Sequence, residues 1–188
     1  MEERARRIVE TAVELAERGG FEAVRLRDVA SHAGVALGTL YRRFRSKEDL
    51  LLAALDQEVS DVRARFEKRP PEGDTPLERV SSFFQITTRN LCRRPNLARA
   101  LIRAIATGEP ELTQRVGTFH IHMRRLVATA LRGEPADGTP LSEREEQLAD
   151  VLQRAWFASL IGWNNGLHGQ NDIVEQTRVA AELLLRDT

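Results

Sequence analysis

Apolar residues recur at intervals of three and four along almost the whole chain, whereas the strict alternation that marks β-strands is nearly absent. In the segment 3–17, four apolar residues share one helical face: Ile8, Ala12, Leu15 and Ala16. Such a stripe is buried against neighbouring helices. The pattern predicts an all-α fold with three short helices at the N-terminus, one connecting helix and about five more, joined by short loops as in packed antiparallel neighbours.

Glycine, proline and capping residues divide this pattern into separate helices. Gly19-Gly20 and Gly34 are expected to end the first two helices, and Ser46 is expected to cap the fourth. The sequence TPLE at 75–78 is a capping box with proline at the first helical position. The helices are expected at about 3–17, 26–33, 37–44, 47–68, from 76 up to Pro95, 95–107, from beyond Pro110 to 131, 142–167 and 172–185, with loops at 70–76 and 133–140.

The composition is that of a globular protein, with 41% hydrophobic and 30% charged residues among 188. No apolar run approaches the roughly 20 residues that span a bilayer, and the charged segment 1–7 has no apolar core of a signal peptide. Cys92 is the only cysteine, which excludes a disulfide framework and a cysteine-based metal site. A cytoplasmic protein with no membrane partner is therefore expected.

Basic residues cluster between Arg25 and Lys47, although the formal net charge of the chain is zero. Six cations and one anion give this stretch a net charge of +5, and Gly34 divides it into two short helices. This arrangement is typical of a helix-turn-helix, whose second helix enters the major groove of DNA. Its small core against the first helix is predicted to contain Leu26, Val29, Ala30, Val35, Leu40 and Phe44.

The third helix is expected to present short side chains at its N-terminal end and cations further along. Thr39 offers a hydroxyl and a methyl group to a base edge, and Arg42 or Arg43 can pair with guanine. Tyr41, Lys47 and the free N–H groups of the following helix suit phosphates. The outward residues are Ala36, Leu37, Thr39, Tyr41, Arg42 and Arg43. The alternative is that the basic cluster is a solvated helix face and that Tyr41 packs in a core.

The stretch FEAVRLRDVASHAGVALGTLYRRFRSKEDLL, which starts at Phe21, resembles the DNA-binding domain of the TetR family of transcriptional repressors, and the order of helices is similar too. The resemblance implies a homodimer that binds a palindromic operator and releases it when a small ligand enters the C-terminal domain. It implies that Ala36, Leu37, Thr39, Tyr41, Arg43 and Lys47 face DNA. Family members often carry a phosphate-binding threonine where Val24-Arg25 stand here, and Arg25 is expected to reach the phosphate instead.

Two C-terminal helices carry more apolar residues than one face can hold. The helix at 142–167 is apolar around more than half of its circumference, and the helix at 172–185 is similar. Both are expected to be covered by a second copy in a two-fold four-helix interface; the alternative is that they pack in the core of a monomer. The predicted domains are a helix-turn-helix domain at 1–46 and a ligand-binding and dimerisation domain at 47–188, in which 47–68 is the connecting helix.

A ligand pocket is predicted among the C-terminal helices, since such pockets are mostly apolar with a few polar groups. Its candidate residues are Phe83, Phe84, Thr87, Leu91, Ile105, Phe119, Met123, Trp156, Phe157, Leu160 and Asn164, with Leu101 and His120 as further members. The alternative for each residue is plain core packing. His120 and His122 point to different faces of a helix and lack a partner at metal-binding spacing, so no metal is expected.

The chain is thus interpreted as a DNA-binding transcriptional repressor that a hydrophobic ligand releases from double-stranded operator DNA. It shows no nucleophile motif, no phosphate-binding glycine loop and no catalytic carboxylate pair, so neither enzymatic activity nor a cofactor is expected. The segments PNLARALIRA and RAWFASLIGW resemble lipid- and steroid-catabolism repressors of the TetR family, which implies an acyl-CoA or sterol-derived ligand. The alternatives are an activator or ligand-independent regulator, and a helical small-molecule carrier.

Overall fold

A computed structural model of the chain describes residues 3–133 and 140–186. Within these two ranges the regular structure is entirely helical, as the sequence predicts. The helices are α1 (Glu3–Ala23), α2 (Leu26–His32), α3 (Leu37–Tyr41), α4 (Lys47–Lys68), α5 (Pro76–Cys92), α6 (Pro95–Ala106), α7 (Thr113–Arg132), α8 (Glu143–Asn164) and α9 (Gln170–Leu185), with a 3₁₀ turn at Pro110–Leu112. Residues 134–139 of the predicted loop 133–140 lie outside the described residues.

Several predicted helix ends are confirmed at a cap or a glycine. The Asp49 amide donates to Ser46 Oγ at 3.1 Å at the start of α4. The capping box at α5 is present, with the Glu78 amide donating to Thr75 Oγ1 at 3.2 Å. Gly34 has a φ of +64°, which side-chain-bearing residues rarely adopt.

Three helix ends differ from the predicted ones. Gly19 and Gly20 have non-helical backbone angles as expected, but a further helical turn follows them up to Ala23. The third helix ends at Tyr41 rather than at Phe44, because the chain tightens into a turn in which the Arg43 amide bonds to the carbonyl three residues back. The last helix begins at Gln170, because the Asp172 carboxylate accepts the Gly169 amide at 2.7 Å from inside the first turn.

The described chain divides into two compact units. The first comprises Met1–Glu58 and Arg94–Gly117, in which α1 packs on α6 and on α2, and α2 packs on α3. The predicted core of the helix-turn-helix is largely buried, with Leu40 and Val29 fully inaccessible. Arg94 Nη1 at the start of α6 lies 3.1 Å from the Glu17 carboxylate of α1. This unit therefore joins the helix-turn-helix to α6 and to the beginning of α7.

The second unit comprises Val59–Arg93 and Thr118–Thr188, in which α9 packs on both α5 and α8. Its core contains most of the aromatic side chains of the chain. Arg79 on α5 holds the end of α7 by donating to the carbonyls of Ala130 at 3.2 Å and Leu131 at 2.7 Å. Both α4 and α7 contribute residues to each unit, so each of these helices continues from the first unit into the second.

Candidate functional site

The helix-turn-helix is held by a tight turn between α2 and α3. The Val35 amide donates to the Ala30 carbonyl at 3.0 Å, directly after the left-handed Gly34. Leu40 is the fully buried residue of α3, and Phe44, 3% exposed, packs just beyond the helix. The inner side of α3 is therefore fixed, and its outer side faces away from the core.

The outward residues predicted for α3 lie at or near the surface. Ala36, Tyr41, Arg42 and Arg43 are exposed, and Leu37 and Thr39 are half-buried. Tyr41 is 52% exposed, so the alternative in which it packs in a core is wrong. Arg42 Nη2 donates to Thr39 Oγ1 at 3.2 Å. Two side chains that the sequence assigns to base contacts are thus neighbours on one face of the helix.

The residues predicted to contact phosphate come together in one open depression of the surface. This depression, of about 370 Å³, is lined by Arg25, Tyr41 and Lys47. Its other lining residues are Glu22, Val24, Leu26 and Arg27. Three hydrogen-bond donors that come from different helices or turns are therefore presented at the same place, beside the outer face of α3.

Lys47 has two neighbours that the sequence analysis missed. Its Nζ lies 3.3 Å from Glu22 Oε2 and 3.9 Å from the centre of the Phe21 ring. Arg103 of α6 approaches the same two residues, at 2.8 Å from Glu22 Oε1 and 4.1 Å from the ring centre. The hydrogen bond from Lys47, with a smaller contribution from Arg103, lowers the pKa of the Glu22 carboxyl. The sequence analysis counts charges from Arg25 to Lys47 and therefore does not include Glu22.

Asp49 organises the turn that connects α3 to α4. Its Oδ2 accepts the Arg45 amide at 3.0 Å, while its own amide bonds to Ser46, in a reciprocal pattern similar to a capping box. The Asp49 carboxylate also accepts Arg115 Nε at 2.8 Å. The basic turn after the recognition helix is thus tied to the first turns of α7.

Most of the predicted ligand-binding residues lie in the packed core of the second unit. Phe83, Phe84, Thr87, Phe119, Met123, Trp156 and Leu160 are buried, and Leu91, Phe157 and Asn164 are half-buried. The rings of Phe84 and Trp156 are 5.8 Å apart, and those of Phe119 and Phe157 are 6.4 Å apart. The remaining candidate, Ile105, is half-buried on α6 in the first unit.

Buried polar atoms interrupt this apolar core. Trp156 Nε1 donates to Thr88 Oγ1 at 2.9 Å. Within the described ranges, Thr87 Oγ1 and Gln153 Oε1 are buried without a hydrogen-bond partner. The Gln153 amide nitrogen contacts His120 Nδ1, and burial lowers the pKa of this histidine, which favours its neutral form. Unpartnered buried oxygens are candidates for contact with a ligand or an ordered water.

A cavity of about 510 Å³ lies in the second unit between the later turns of α4 and α7. Its lining residues are Val59, Ser60, Arg63, Phe66, Glu67, His122, Arg125, Leu126 and Thr129. None of the predicted ligand-binding residues is among them. Val59, Arg63 and Phe66 follow one another at spacings of four and three, so one face of α4 mixes apolar side chains with a cation. This helical spacing of two apolar residues and an arginine is the sequence pattern from which a cavity beside α4 could have been predicted.

His120 and His122 do not form a metal site with their described neighbours. Across 3–133 and 140–186, no group of three or more histidine, cysteine, aspartate or glutamate side chains is arranged to hold a metal ion. No helix in these ranges combines the length and the apolar character needed to cross a membrane.

Exposed cations in the turn directly after α3 of a helix-turn-helix, followed by a helical unit with a cavity, define a DNA-binding regulator. Comparison with known families gives two matches: "Bacterial regulatory proteins, tetR family" over residues 8–54, and "Tetracyclin repressor-like, C-terminal domain" over residues 73–184. The chain belongs to the TetR family. It is a helix-turn-helix transcriptional regulator of that family and not an enzyme.

The most similar relatives and structures extend this relationship over the whole chain. The HTH-type transcriptional repressor KstR of Rhodococcus jostii (strain RHA1) is 36% identical over 187 residues, which cover 98% of this chain and 84% of the relative. The crystal structure of a TetR transcriptional regulator from Rhodococcus sp. RHA1 has 30% identity and a TM-score of 0.85, with 98% of both chains covered. Thermus thermophilus FadR, solved in complex with lauroyl-CoA, shares the fold, with 22% identity, a TM-score of 0.75 and coverage of 96% and 93%.

Proposed function

We propose that the chain acts as a homodimeric repressor that binds a palindromic operator through α3 and leaves it when an acyl-CoA binds the helical region beyond residue 46. The observation that carries the proposal is the outward surface formed by α3 and the turn after it, where Arg42 and Arg43 stand exposed beside the depression lined by Arg25, Tyr41 and Lys47. Cations and hydroxyl groups on one exposed surface suit a DNA groove and its flanking phosphates.

The contacts with DNA divide into two kinds. The proposed base contacts come from α3 and the residues that flank it. Thr39, Arg42 and Arg43 carry the donors, and Ala36 and Leu37 are short or apolar enough to approach thymine methyl groups. The proposed phosphate contacts come from the depression beside it. This division assigns sequence preference to α3 and most of the salt dependence to the depression.

A homodimer is supported by apolar side chains that the chain leaves exposed on its last two helices. Val151 on α8 is 47% exposed, and Val179 and Leu183 on α9 are 40% and 60% exposed. Val179 and Leu183 are four residues apart and therefore share one face of α9. A second copy related by a two-fold axis would cover these residues and present two recognition helices to a palindromic site, with half-sites about 34–36 Å apart.

The division of the chain into a DNA-binding domain at 1–46 and a ligand-binding and dimerisation domain at 47–188 remains a prediction.

An acyl-CoA effector is supported by two observations. The Thermus thermophilus FadR structure of the same fold contains lauroyl-CoA. The cavity between α4 and α7 has apolar and cationic lining residues, as a ligand with an apolar chain and an anionic head requires. The protein is also similar to KstR, and its resemblance to steroid-catabolism repressors implies a sterol-derived ligand. The second candidate for the acyl group of the effector is therefore a sterol-derived one.

The proposed mechanism is a shift between two states of the dimer. The helices that line the cavity, α4 and α7, also contribute residues to the unit that contains α3. A ligand that binds more tightly to the state with mismatched recognition helices lowers the population that can bind the operator. A ligand with equal affinity for both states would have no effect, so release from DNA measures the differential affinity.

The test is titration of the protein, by fluorescence anisotropy, against duplex DNA from upstream of its own gene and against unrelated DNA of equal length. Tighter binding to the first duplex, falling steeply with salt and reversed by lauroyl-CoA, is the expected result. Equal and weak binding to both duplexes and to fragments selected from the source genome would contradict a repressor and favour the small-molecule carrier. Selective binding that lauroyl-CoA does not reverse would favour a regulator that does not respond to this ligand; a reporter assay separates repression from activation.

A further inference from the structure

The cavity between α4 and α7 combines a buried apolar floor with an exposed cationic rim. Val59, Phe66 and Leu126 are 7%, 6% and 8% exposed and form the floor. Arg63 and Arg125, on the same two helices, are exposed at the rim. A volume of about 510 Å³ falls within the range of about 300–1,000 Å³ that is usual for ligand pockets.

We infer that this cavity binds the head of an acyl-CoA, with Arg125 as the main contact of a phosphate group and with the start of the acyl chain on the apolar floor. This inference rests on the proposed function and assigns the ligand to residues outside those predicted from the sequence.

Arg125 is one of several arginines that have no side-chain partner among the described residues, and it is the one of them that lines the cavity. Arg79, Arg94, Arg115 and Arg178 each make hydrogen bonds or ion pairs with other residues. In the part of the chain that the structure describes, Arg125 makes no ion pair and no side-chain hydrogen bond. It can therefore bind an anion without first breaking a contact, and its planar guanidinium matches two oxygens of a phosphate.

The remaining rim groups set the balance of charge. Arg63 has one neighbouring anion, Glu67, whose Oε1 lies 3.7 Å from its Nε, and both side chains are more than 60% exposed. Such an exposed pair is weak and can open when a stronger anion arrives. His122, Ser60 and Thr129 add further hydrogen-bonding groups. The rim therefore favours an anionic ligand, while Glu67 opposes it.

Phe66 connects this cavity to the aromatic core predicted to receive a ligand. Its ring lies 5.1 Å from that of Phe83, which lies 5.1 Å from that of Phe84, which in turn contacts Trp156. Phe66 is thus a wall shared by the cavity and by this row of rings. An acyl chain that displaces the Phe66 side chain would continue along the aromatic residues that the sequence predicts to bind the ligand. The cavity and these aromatic residues would then bind successive parts of the same ligand.

The experiment measures the affinity of the intact protein for lauroyl-CoA, for coenzyme A and for laurate by calorimetry. R125A is expected to weaken lauroyl-CoA binding by roughly tenfold, the effect of losing one charge-assisted hydrogen bond, and to change laurate binding by less than about threefold. R144A, which removes an exposed arginine from the first turn of α8 in the same unit, is the matched control and should change neither.

A second variant changes affinity in the opposite direction. E67Q removes the anion from the rim and should tighten lauroyl-CoA binding about twofold to threefold, a result that partial unfolding cannot produce. Unchanged affinity in R125A, or a loss for laurate equal to that for lauroyl-CoA, would overturn the phosphate assignment. Failure of the wild-type protein to bind lauroyl-CoA would overturn both this site and the proposed effector, whereas binding of lauroyl-CoA without any operator binding would contradict only the repressor.

Discussion

Arg115 Nε lies 2.8 Å from Oδ1 of Asp49, a carboxylate that is only 6% exposed. The pair joins α7 to the first turn of α4 directly after the basic turn that follows the recognition helix. The same two helices line the cavity of the second unit with residues 59–67 and 122–129. The ion pair connects the first turns of α4 and α7, and the cavity lies between the later turns of the same two helices. A ligand that changes their spacing in the cavity therefore acts on helices that this ion pair joins.

The first prediction concerns this pair. D49A removes the acceptor of the Arg45 amide as well as the partner of Arg115, and should lower the free energy of unfolding by about 1–3 kcal/mol. R115A removes this ion pair and the longer contact of Arg115 Nη1 with Asp56 Oδ2 at 3.4 Å, but it keeps the hydrogen bonds of Asp49 in the turn and should cost less. Chemical denaturation of both single variants and of the double variant measures the coupling energy. A larger loss in R115A than in D49A would show that the hydrogen bonds of Asp49 in the turn contribute little.

The second prediction tests the phosphate assignment of Lys47. K47A should weaken binding to specific and unrelated DNA alike. It should lower the slope of log affinity against log salt by about 1.8, which is about 0.9 for each of the two Lys47 side chains of a bound dimer. The proposed dimer through α8 and α9 should persist in gel filtration, because Lys47 lies in the first unit. K68A, which removes the other lysine of the same helix, is the control. An unchanged salt slope in K47A would remove Lys47 from the DNA contacts; Y41A tests the neighbouring contact in the same way.

The third prediction follows from the contact of Glu22 with Lys47. The Glu22 carboxylate lies 3.3 Å from the ammonium group and repels phosphate at the same depression. E22Q should therefore tighten DNA binding by about twofold to fivefold at low salt, with the difference fading as salt screens the charge. E14Q, an exposed carboxylate earlier on α1, provides the control for net charge. Weaker binding by E22Q would mean instead that Glu22 holds Lys47 in its binding position.

Local signals predicted much of this fold. Ser46, Thr75 and Ser142 begin helices because each hydroxyl caps amides within its own turn, and such contacts are readable from neighbouring residues. Helical spacing likewise separated the inner Leu40 from the outer Tyr41. The structure confirms these positions because short-range hydrogen bonds and burial decide them.

Contacts between distant segments could not be predicted in this way. Many arginines and carboxylates are chemically equivalent in the sequence, so nothing in it singles out Arg115 as the partner of Asp49. Nor does the sequence show that Arg125 makes no side-chain contact with a described residue. The cavity depends on how α4 and α7 lie side by side, which the apolar pattern of each helix does not specify. Large apolar residues such as Phe83 and Trp156 are predicted to contact the ligand because of their apolar character, and in the structure both are buried with their rings against that of Phe84.

The fourth prediction compares two adjacent threonines in α5. Thr87 Oγ1 is buried without a partner among the described residues, whereas Thr88 Oγ1 accepts Trp156 Nε1 at 2.9 Å. T87V should be neutral or stabilise the protein by about 1 kcal/mol, because it removes an unsatisfied hydroxyl. T88V should destabilise it by about 1–3 kcal/mol, because it leaves the indole N–H unpaired. Thermal unfolding of the two variants checks this, and a destabilised T87V would show that its hydroxyl has a partner such as an ordered water.

The fifth prediction concerns the acid stability of the junction between α7 and α8. Arg132 forms a bidentate pair with the Glu145 carboxylate, and the amide and hydroxyl of Ser142 donate to the same carboxylate at 2.7 Å. The hydrogen bond from Arg132, followed by those from Ser142, lowers the pKa of Glu145 from 4.5 to about 2. Because the pKa is lower in the folded state, this stabilisation is fully present above about pH 4.5 and is lost as the pH falls towards 2.

E145Q tests that dependence. At pH 7 the variant should melt a few degrees below the wild type, by about 2–4 °C for each kcal/mol lost. The difference should shrink as the pH is lowered from 5 to 3, because Glu145 of the unfolded wild type, with a pKa near 4.5, takes up a proton in this range and the unfolded state is thereby favoured. E146Q controls for the loss of one charge in the same helical turn. A difference in melting temperature that stays constant from pH 7 to pH 3 would mean that the ionised form of Glu145 adds nothing to the junction, and that its packing against Arg132 accounts for the whole effect.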